Sequence, residues 1–506
     1  MTAPVLLVLG TASDAGKSTI ATALCRLLRR RGLRVAPFKA QNMARNAYVT
    51  AEGGEIGVAQ ALQAFAAGVP PTVDMNPILL KPEPGLVSQV VVHGRAVGTM
   101  SFGGYGERIE AMREAIRASL GRLRPAYDVI VAEGAGSPAE VNLADRDLAN
   151  LFVARETGAS IVLVADIDRG GMFASVVGTL ALLPDDVRPS VRGIVINKLR
   201  GDARLLESGC RLLEERTGVP VLGVVPHLDA LGLADEDSLG LAKRLGTRRA
   251  RLDELEIAVV AYPAIANAED VLPLEREPGV VVRFVTEPRE LEGADLVVLP
   301  GSKSTLHDLG FLTSRGFDRV LRARAARAEP ILGICGGCQM LGTRIDDPLG
   351  IESPTPSAPA LGLLDVVTSF EAEKRTARVE GRIVGSPLFA GEVRVSGFEI
   401  HHGRIHRRDG VHPAVALETR GGAPCTEGDG ARSPDGLVFG TMIHDLLEGP
   451  EAREGLLASL RARRGIDTPP SGPRDAREAA IERLADHVAA SLDLAAIGRI
   501  LGERSA

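Results

Sequence analysis

Tryptophan is absent from this 506-residue chain, and aromatic residues make up 3% of it. Because proteins hold single-stranded nucleic acids largely by stacking bases on aromatic rings, this composition disfavours a nucleic-acid platform. The formal net charge is −6 and like charges form no long blocks. The sequence therefore gives no electrostatic reason to expect nucleic acid or an anionic membrane surface as a partner, and small-molecule chemistry is the simplest expectation.

Cysteine and long apolar runs are also scarce. The five cysteines, at positions 25, 210, 335, 338 and 425, are too few and mostly too far apart for a disulfide framework, and they fit a reducing cytoplasm. No run approaches the ~20 apolar residues that span a bilayer. The first residues, MTAPVLLVLG, lack the basic region of a signal peptide. We therefore expect a soluble cytoplasmic protein.

Apolar runs of strand length alternate with helical patterns in two successive series. The first series includes VLLVLG, YDVIVAEGAG and ASIVLVADI, and the second includes EIAVVAYP, DLVVLPG and ILGICGG. Unbroken apolar strands separated by helices are typical of a parallel sheet covered on both faces. The sequence therefore predicts two α/β domains with parallel sheets, at 1–230 and 255–450. A charged linker at 231–254 joins them, and a helical extension follows at 451–506.

The first apolar run leads into a glycine-rich turn, GTASDAGKST, and then into a helical pattern. Strand, turn and helix in this order predict a phosphate-binding loop whose backbone N–H groups cradle phosphates. Lys17 would reach the terminal phosphates, and the Ser18 hydroxyl would ligate Mg²⁺. Thr11 stands where the motif G-x-x-x-x-G-K-[ST] has its first glycine, so the loop is a variant. The alternative is a glycine-rich turn whose lysine is merely solvated.

Two acids follow apolar strands at their carboxyl ends, where open α/β sheets bind ligands. They are Glu133 in DVIVAEGAG and Asp166 in IVLVADIDRGG. Together with Ser18 they are the predicted Mg²⁺ ligands, and Glu133 is the preferred one. For each acid the alternative is an exposed carboxylate that simply ends a strand, because the strand-end rule locates a site without naming its ligands.

A second motif, ILGICGGCQMLG, places two cysteines among glycines between an apolar strand and a helical pattern. Its first half matches the G-x-nucleophile-x-G spacing of a strained elbow. We expect Cys335 to stand exposed at the turn, with its thiolate favoured by the helix that follows, and Cys338 to point elsewhere. A zinc pair or a redox pair is the alternative, although zinc needs two more ligands and no second C-x-x-C occurs.

A nucleophilic cysteine needs a base, and nine histidines compete for that role. His444, in GLVFGTMIHDLLEG, follows a strand and a turn after the elbow, which is the chain order of a hydrolytic dyad in this kind of domain. His401 and His402 are the alternatives. The expected oxyanion donors are the N–H of Gly336 and an N–H of PGSKS, from Gly301 or Ser302.

These motifs, with several longer strings, resemble the glutamine-dependent amidotransferases of corrinoid biosynthesis. The strings are PFKAQNMARNAYVT, GVAQALQAFAAGVPPTVDMNPILLKP, VAEGAGSPAEVNL, DIDRGGMFAS and INKLRGD. The resemblance implies an N-terminal P-loop domain like that of dethiobiotin synthetase and a C-terminal class I glutamine amidotransferase domain. In the latter, the cysteine at the Cys335 position attacks the side-chain amide of glutamine, and the histidine at the His444 position acts as base and acid.

The resemblance also implies the ligands. ATP and Mg²⁺ are the expected cofactors, and the nucleotide-binding residues are Thr11, Asp14, Gly16, Lys17, Ser18, Thr19 and Asn197. The expected substrates are L-glutamine and adenosylcobyrinic acid a,c-diamide, amidated at its b, d, e and g carboxylates. The alternatives are the sister enzyme that makes the a,c-diamide, and a partitioning-type P-loop ATPase, whose early signature lysine this loop lacks. A homo-oligomer is compatible with the sequence.

One position departs from most class I amidotransferases, which carry a glutamate two residues after the histidine. Leu446 occupies that position here, and the corrinoid branch is known for lacking the acid. Asp445 is adjacent in sequence and is expected to point away. Because no obvious residue in the sequence orients His444, we expect slow glutamine hydrolysis unless the synthetase site is occupied.

Overall fold

The computed structural model describes residues 2–83, 87–101, 105–228, 233, 245, 248–383, 385–467 and 475–502. The chain divides into two compact units, each with its own sheets and core. The first unit comprises Met1–Ala44, Glu55–Glu236 and Glu478–Ala506, and the second comprises Arg45–Gly54 and Asp237–Arg477.

This division departs from the predicted bounds in two places. The segment Arg45–Gly54, predicted inside the first domain, belongs to the second unit. The predicted extension 451–506 is not one element, because the helix Pro450–Arg464 lies in the second unit, whereas Leu494–Ile500 and most of the helix Ala476–Ala489 lie in the first. Most of the predicted linker 231–254 lies outside the described residues. Apolar periodicity shows that a segment packs, but it does not show against which core.

The first unit is built on a six-stranded, fully parallel sheet with the strand order β12-β11-β10-β1-β9-β2. Side chains alternate across it: Leu7 and Leu9 of the central strand enter one core, and Leu6 and Val8 enter the other. Because both faces are buried, every residue of that strand is apolar or glycine. The strands of this sheet are β1 (Val5–Gly10), β2 (Val35–Phe38), β9 (Val129–Glu133), β10 (Ser160–Asp166), β11 (Val191–Leu199) and β12 (Val221–Pro226).

Helices cover both faces of this sheet, and smaller strands flank it. The helices are Lys17–Arg30, Val58–Ala67, Tyr105–Ala126, Leu151–Thr157, Met172–Leu182, Glu207–Thr217, Ala476–Ala489 and Leu494–Ile500. A second sheet has the order β3-β6-β7-β8. The remaining strands of the unit are β3 (Gln41–Met43), β5 (Glu55–Gly57), β6 (Ile78–Glu83), β7 (Val87–Val92) and β8 (Arg95–Ser101).

The second unit is built on a six-stranded sheet with the order β15-β13-β16-β18-β27-β26, parallel except for the last strand. Its strands are β13 (Leu255–Val260), β15 (Val280–Val285), β16 (Leu296–Leu299), β18 (Ile331–Ile334), β26 (Ala431–Arg432) and β27 (Val438–Thr441). The helices of the unit are Leu272–Glu275, Thr305–Arg315, Phe317–Ala326, Gly336–Leu341 and Pro450–Arg464. The predicted α/β class with two parallel sheets is confirmed.

A mostly antiparallel sheet adds to the second unit, dominated by two long paired strands, β21 (Val366–Ile383) and β22 (Val393–Arg407). The shorter strands of the unit are β4 (Ala47–Val49), β14 (Ile265–Ala266), β17 (Gly301–Ser302), β19 (Arg344–Asp346), β20 (Ser357–Pro359), β23 (Val415–Arg420), β24 (Ala423–Pro424) and β25 (Gly428–Asp429).

Adjacent parallel strands bring the predicted site residues to the carboxyl ends of the sheets. In the first unit, β1 leads into the glycine-rich loop, and its neighbour β9 ends at Glu133. In the second unit, β18 and β27 are paired so that Ile334 lies opposite Thr441. Cys335 therefore leaves the sheet beside the turn that leads to His444.

Candidate active site

Cys335 occupies a strained turn between β18 and the helix Gly336–Leu341. Its backbone lies at φ 51° and ψ −107°, a conformation that few residues other than glycine adopt. A side chain on Gly337 would come within 1.9 Å of the Leu299 carbonyl oxygen, and one on Gly333 within 2.8 Å of the Cys338 nitrogen. These close approaches explain the glycines of the motif. The expected exposure of the cysteine is wrong, because Cys335 is only 7% exposed.

His444 makes a buried ion pair with Asp270. Its Nδ1 lies 2.7 Å from Asp270 Oδ2, and the other oxygen, Oδ1, accepts a 2.8 Å hydrogen bond from the backbone N–H of Asp445. The carboxylate is thus fixed at both oxygens. Burial alone lowers the pKa of His444, but the charges of Asp270 and Cys335, with hydrogen bonds to both side chains, raise the pKa to about 10. Cys335, His444 and Asp270 therefore lie in series, in the order that a nucleophile, a base and an orienting acid would need.

The sequence left open which residue orients His444, and in the structure Asp270 is its partner. Leu446 is a 1% exposed core residue, and the acid comes instead from Asp270, in the short 3-10 helix Ala268–Val271. As predicted, Asp445 points away, and its carboxylate pairs with Arg477 at 2.8 Å. Position 270 lies far from position 444 in sequence, and NAED belongs to no motif that marks a catalytic acid.

Two of the three predicted oxyanion residues lie side by side. A side chain on Gly336 would come within 2.8 Å of the Ser302 nitrogen, so these two backbone segments face each other next to Cys335. Gly301 lies against the histidine ring instead, since a side chain there would come within 3.1 Å of His444 Cε1. Pairing of β17 with β14 holds this loop in place. The arrangement supports Gly336 and Ser302 as donors.

The second cysteine and the alternative histidines occupy other environments. Cys338 is fully buried, burial raises the pKa of its thiol well above the ordinary value, and its sulfur fills the space beside Gly440 of β27. His401, on β22, is buried with its Nδ1 2.7 Å from the Gly403 carbonyl oxygen. His402 Nδ1 lies 3.0 Å from the Glu371 carbonyl oxygen. The geometry therefore favours His444 as the base.

In the first unit, the glycine-rich loop is ordered around a buried lysine. Lys17 is 4% exposed and donates hydrogen bonds to the carbonyls of Ala12 at 3.2 Å and Gly136 at 3.1 Å. This burial argues against the alternative of a solvated lysine. Gly16 lies at φ 96°, and a side chain there would come within 2.0 Å of Asn197 Nδ2, which donates to the Ala15 carbonyl at 3.0 Å. The structure thus places Gly16, Lys17 and Asn197 together.

Two of the three predicted Mg²⁺ ligands are in contact. Ser18 Oγ donates to Glu133 Oε1 at 2.7 Å, and Lys39 Nζ lies 2.9 Å from the same oxygen. Gln63 donates to the other oxygen at 2.5 Å. Burial alone raises the pKa of Glu133, but the charge and hydrogen bond of Lys39, the hydrogen bond from Ser18 and the charge of Lys17 hold the pKa below its ordinary value. Asp166 pairs instead with Lys198, at 2.9 Å.

The other predicted nucleotide-binding residues lie along the same loop. Thr11 donates its backbone N–H to Val164 at 3.0 Å, which anchors the start of the loop to β10. Asp14 has φ 59° and pairs with Arg169 at 2.8 Å. Thr19 is exposed in the first turn of the helix. Lys39 and Gln63 carry no motif that predicts a role in this site, although both lie within the strings that carry the resemblance.

Comparison with known proteins identifies both units and the whole chain. A model described as the CobQ/CobB/MinD/ParA nucleotide binding domain matches residues 6–241, and one described as the CobB/CobQ-like glutamine amidotransferase domain matches residues 256–452. Cobyric acid synthase of Sorangium cellulosum is 52% identical, with 99% of each chain covered. The chain belongs to the cobyric acid synthase family.

Further members of the cobyric acid synthase family match along nearly their whole length. The enzyme of Pelotomaculum thermopropionicum is 48% identical over 99% of this chain and 97% of its own, and that of Roseiflexus castenholzii is 47% identical over 97% and 98%. The protein therefore combines a nucleotide-binding domain with a glutamine amidotransferase domain, as predicted. A partitioning-type ATPase would leave the second domain unexplained. None of the described helices is both long and apolar enough to cross a bilayer.

Proposed function

We propose that the protein is a cobyric acid synthase. It uses ATP, Mg²⁺ and L-glutamine to amidate the b, d, e and g carboxylates of adenosylcobyrinic acid a,c-diamide. The observation that carries this proposal is the 52% identity to a named cobyric acid synthase across 99% of both chains. All five cysteines are free thiols, which supports a reducing, cytoplasmic location.

The second unit supplies ammonia from glutamine. The Cys335 thiolate attacks the side-chain amide carbon, and the oxygen that becomes negative is held by the N–H groups of Gly336 and Ser302. His444, protonated and oriented by Asp270, gives its proton to the departing ammonia. The thioester left on Cys335 is then hydrolysed by a water molecule that His444 deprotonates. Glutamate leaves and the thiolate is restored.

The first unit activates the acceptor carboxylate. A carboxylate is a poor electrophile, so its conversion to an acyl phosphate by ATP lets ammonia displace phosphate and leave an amide. The glycine-rich loop offers backbone N–H groups to the nucleotide phosphates, and Lys17 adds a positive charge beside them. Lys17 donates to the backbone carbonyls of Ala12 and Gly136, and a phosphate oxygen would be a stronger partner than either carbonyl.

The residues at the helix start also fit a magnesium ion. The Ser18 hydroxyl and the Glu133 carboxylate are hard oxygen donors already in contact, as Mg²⁺ prefers. When bound, Mg²⁺ supplies charge neutralisation to phosphoryl transfer. Lys39 compensates the buried charge of Glu133. We infer that Ser18 and Glu133 hold the ion and that Asp166, paired with Lys198, lies outside its direct contacts.

Mass spectrometry of the reaction product tests the proposal. The full chain is incubated with adenosylcobyrinic acid a,c-diamide, ATP, Mg²⁺ and glutamine. The molecular mass of the corrinoid is then measured over time. Four successive amidations are expected, each replacing a hydroxyl by an amino group. With unamidated cobyrinic acid as the substrate, an enzyme of the sister class would stop after two. An unchanged mass of the a,c-diamide, with active glutamine hydrolysis, would contradict the assignment.

A further inference from the structure

The segment Arg45–Gly54 packs inside the amidotransferase unit, although the chain before and after it belongs to the nucleotide-binding unit. Asn46 and Asn267 interlock there. The Asn267 backbone N–H donates to Asn46 Oδ1 at 2.9 Å, and the Asn267 side chain bonds both backbone groups of Ala47, at 3.3 and 2.9 Å. Asn46 Nδ2 also donates to the Glu269 carboxylate. Both asparagines are buried, at 9% and 6% exposure.

These bonds hold the turn that carries the orienting acid of the histidine. Asn267 has φ 52°, a strained left-handed conformation, and it precedes the short helix Ala268–Val271. The Asp270 backbone N–H donates to the Asn267 carbonyl at 3.1 Å. A strained turn persists only where its surroundings fix it. Since the carboxylate must stay within hydrogen-bond reach of His444, the position of Asp270 depends on the bonds that Asn46 makes.

The same segment reaches the histidine by a second route. The Tyr48 ring meets Phe398 edge to face with centroids 5.2 Å apart, and Phe398 stacks on the His444 imidazole at 5.5 Å. The backbones of Phe398 and His444 exchange two hydrogen bonds, of 3.1 and 2.9 Å. Arg378 fixes the tyrosine by donating to its hydroxyl at 2.7 Å. Asn46 thus supports the turn of Asp270, which is the hydrogen-bond partner of the imidazole. Tyr48 supports Phe398, which covers the face of the imidazole.

We infer that Asn46 is a positioning residue for glutamine hydrolysis, acting on His444 through the turn 267–270. This inference rests on the proposed glutaminase activity of the second unit, but not on the identity of the corrinoid. A stretch of chain that is covalently continuous with the nucleotide-binding unit at both ends completes the support of the hydrolytic pair.

The test compares Asn46→Ala, Asp270→Asn and the double variant in the full-length chain. Glutamate release from glutamine is measured with and without ATP and corrinoid, and so is the rate at which iodoacetamide alkylates Cys335. Asn46→Ala should lower kcat about 10-fold or more, because small displacements of catalytic groups cost that much, and KM for glutamine should change less than about 3-fold. Its alkylation pH profile should shift in the same direction as that of Asp270→Asn.

The double variant decides whether Asn46 acts through Asp270. If it does, adding Asn46→Ala to Asp270→Asn should lower the rate by less than about 2-fold more, because the two changes remove one interaction. A full multiplication of the two losses would overturn the inference, as would a wild-type kcat for Asn46→Ala. Equal loss of ammonia-dependent and glutamine-dependent amidation would overturn it too, since that would show general damage.

Three further variants guard against a trivial explanation. Glu52 is exposed in the same segment, and Glu52→Ala should leave the glutaminase rate and the alkylation profile unchanged. Asn46→Asp keeps the side-chain size and the acceptor for Asn267 but meets the carboxylate of Glu269, so it should be slow. Adding Glu269→Gln reverses that hydrogen bond and should restore part of the rate, and no recovery would count against the inference. If corrinoid amidation fails while the glutaminase rates change as expected, only the proposed substrate is contradicted.

Discussion

Replacing Asp270 with asparagine should slow glutamine-dependent amidation by a factor between about 10² and about 4 × 10³, while ammonia-dependent amidation continues. Asparagine preserves the size of the side chain, and its oxygen can still accept from the Asp445 N–H. The amide nitrogen then faces His444 Nδ1. Both nitrogens carry N–H groups, so neither can accept a hydrogen bond from the other. The variant therefore removes the charge that stabilises the imidazolium and the acceptor that fixes its tautomer, with little change in packing.

The magnitude follows from the burial of the pair. The side chains of His444 and Asp270 are 3% and 6% exposed, and their contact is 2.7 Å. Breaking a buried charge pair by changing one partner costs about 3–5 kcal/mol. At about 1.4 kcal/mol for each factor of ten, this corresponds to a range from about 10²-fold to about 4 × 10³-fold if the whole loss falls on the transition state.

The pH dependence gives the same variant a second readout. Asp270 and Cys335 raise the pKa of His444 to about 10, above the ordinary value of 6.5. A raised pKa means that the protonated histidine stabilises the fold in full below about pH 6.5, and that this contribution is lost as the pH rises through about 10. Asp270→Asn removes the main raising charge, so the alkaline limb of its glutaminase profile should move to lower pH. Urea unfolding at pH 6 and pH 10 should differ less for the variant than for the wild type.

The assay measures glutamate release and amide formation side by side, with glutamine or ammonium chloride as the nitrogen source. Asp253→Asn is the matched control, because it makes the same chemical change at an exposed acid of the same unit. Wild-type glutaminase activity in Asp270→Asn, with an unmoved pH profile, would refute the role assigned to Asp270. Loss of ammonia-dependent activity would refute the separation of the two sites.

Three other substitutions test the division of labour. Cys335→Ala should abolish glutamine-dependent amidation and spare the ammonia-dependent reaction, and loss of both activities in a folded protein, checked by circular dichroism, would count against the assignment. Cys338→Ala should leave glutamine kcat/KM within about 2-fold of wild type, because this thiol packs against Gly440 and makes no step of the chemistry; a large loss would revive the paired-cysteine interpretation. Lys17→Ala should stop amidation from either nitrogen source while glutamine hydrolysis remains measurable, and ammonia-dependent product would remove the loop from the mechanism.

Local motifs made the elbow and the phosphate loop predictable. Each requires glycines at fixed positions, because the backbone turns sharply against a close neighbour: Gly337 approaches the Leu299 carbonyl, and Gly16 approaches the Asn197 side chain. Such constraints act over a few residues and therefore leave a readable pattern. The exposure of Cys335 was not predictable, since it depends on residues that cover the elbow from elsewhere in the chain.

Asp270 was not predictable because its role depends on a contact between distant positions. A carboxylate that orients a histidine needs only to arrive at Nδ1 with the right direction, and any loop of the fold can deliver it. Leu446 illustrates the same point, because its position does not supply the acid. The position that often carries the acid in related domains has become a core residue, 1% exposed, while the loop after β14 supplies the charge.

The membership of Arg45–Gly54 in the second unit was not predictable for the same reason. QNMARNAYVT reads as part of the first domain because sequence order is the only guide that a linear pattern offers. The side chains of Asn46 and Tyr48 nevertheless meet Asn267 and Phe398. A buried asparagine that satisfies a strained backbone N–H cannot be replaced by an apolar residue without leaving a donor unpaired. Asn46 is therefore explained by the proposed hydrolytic site of the second unit, and this explanation needs no contact with the nucleotide.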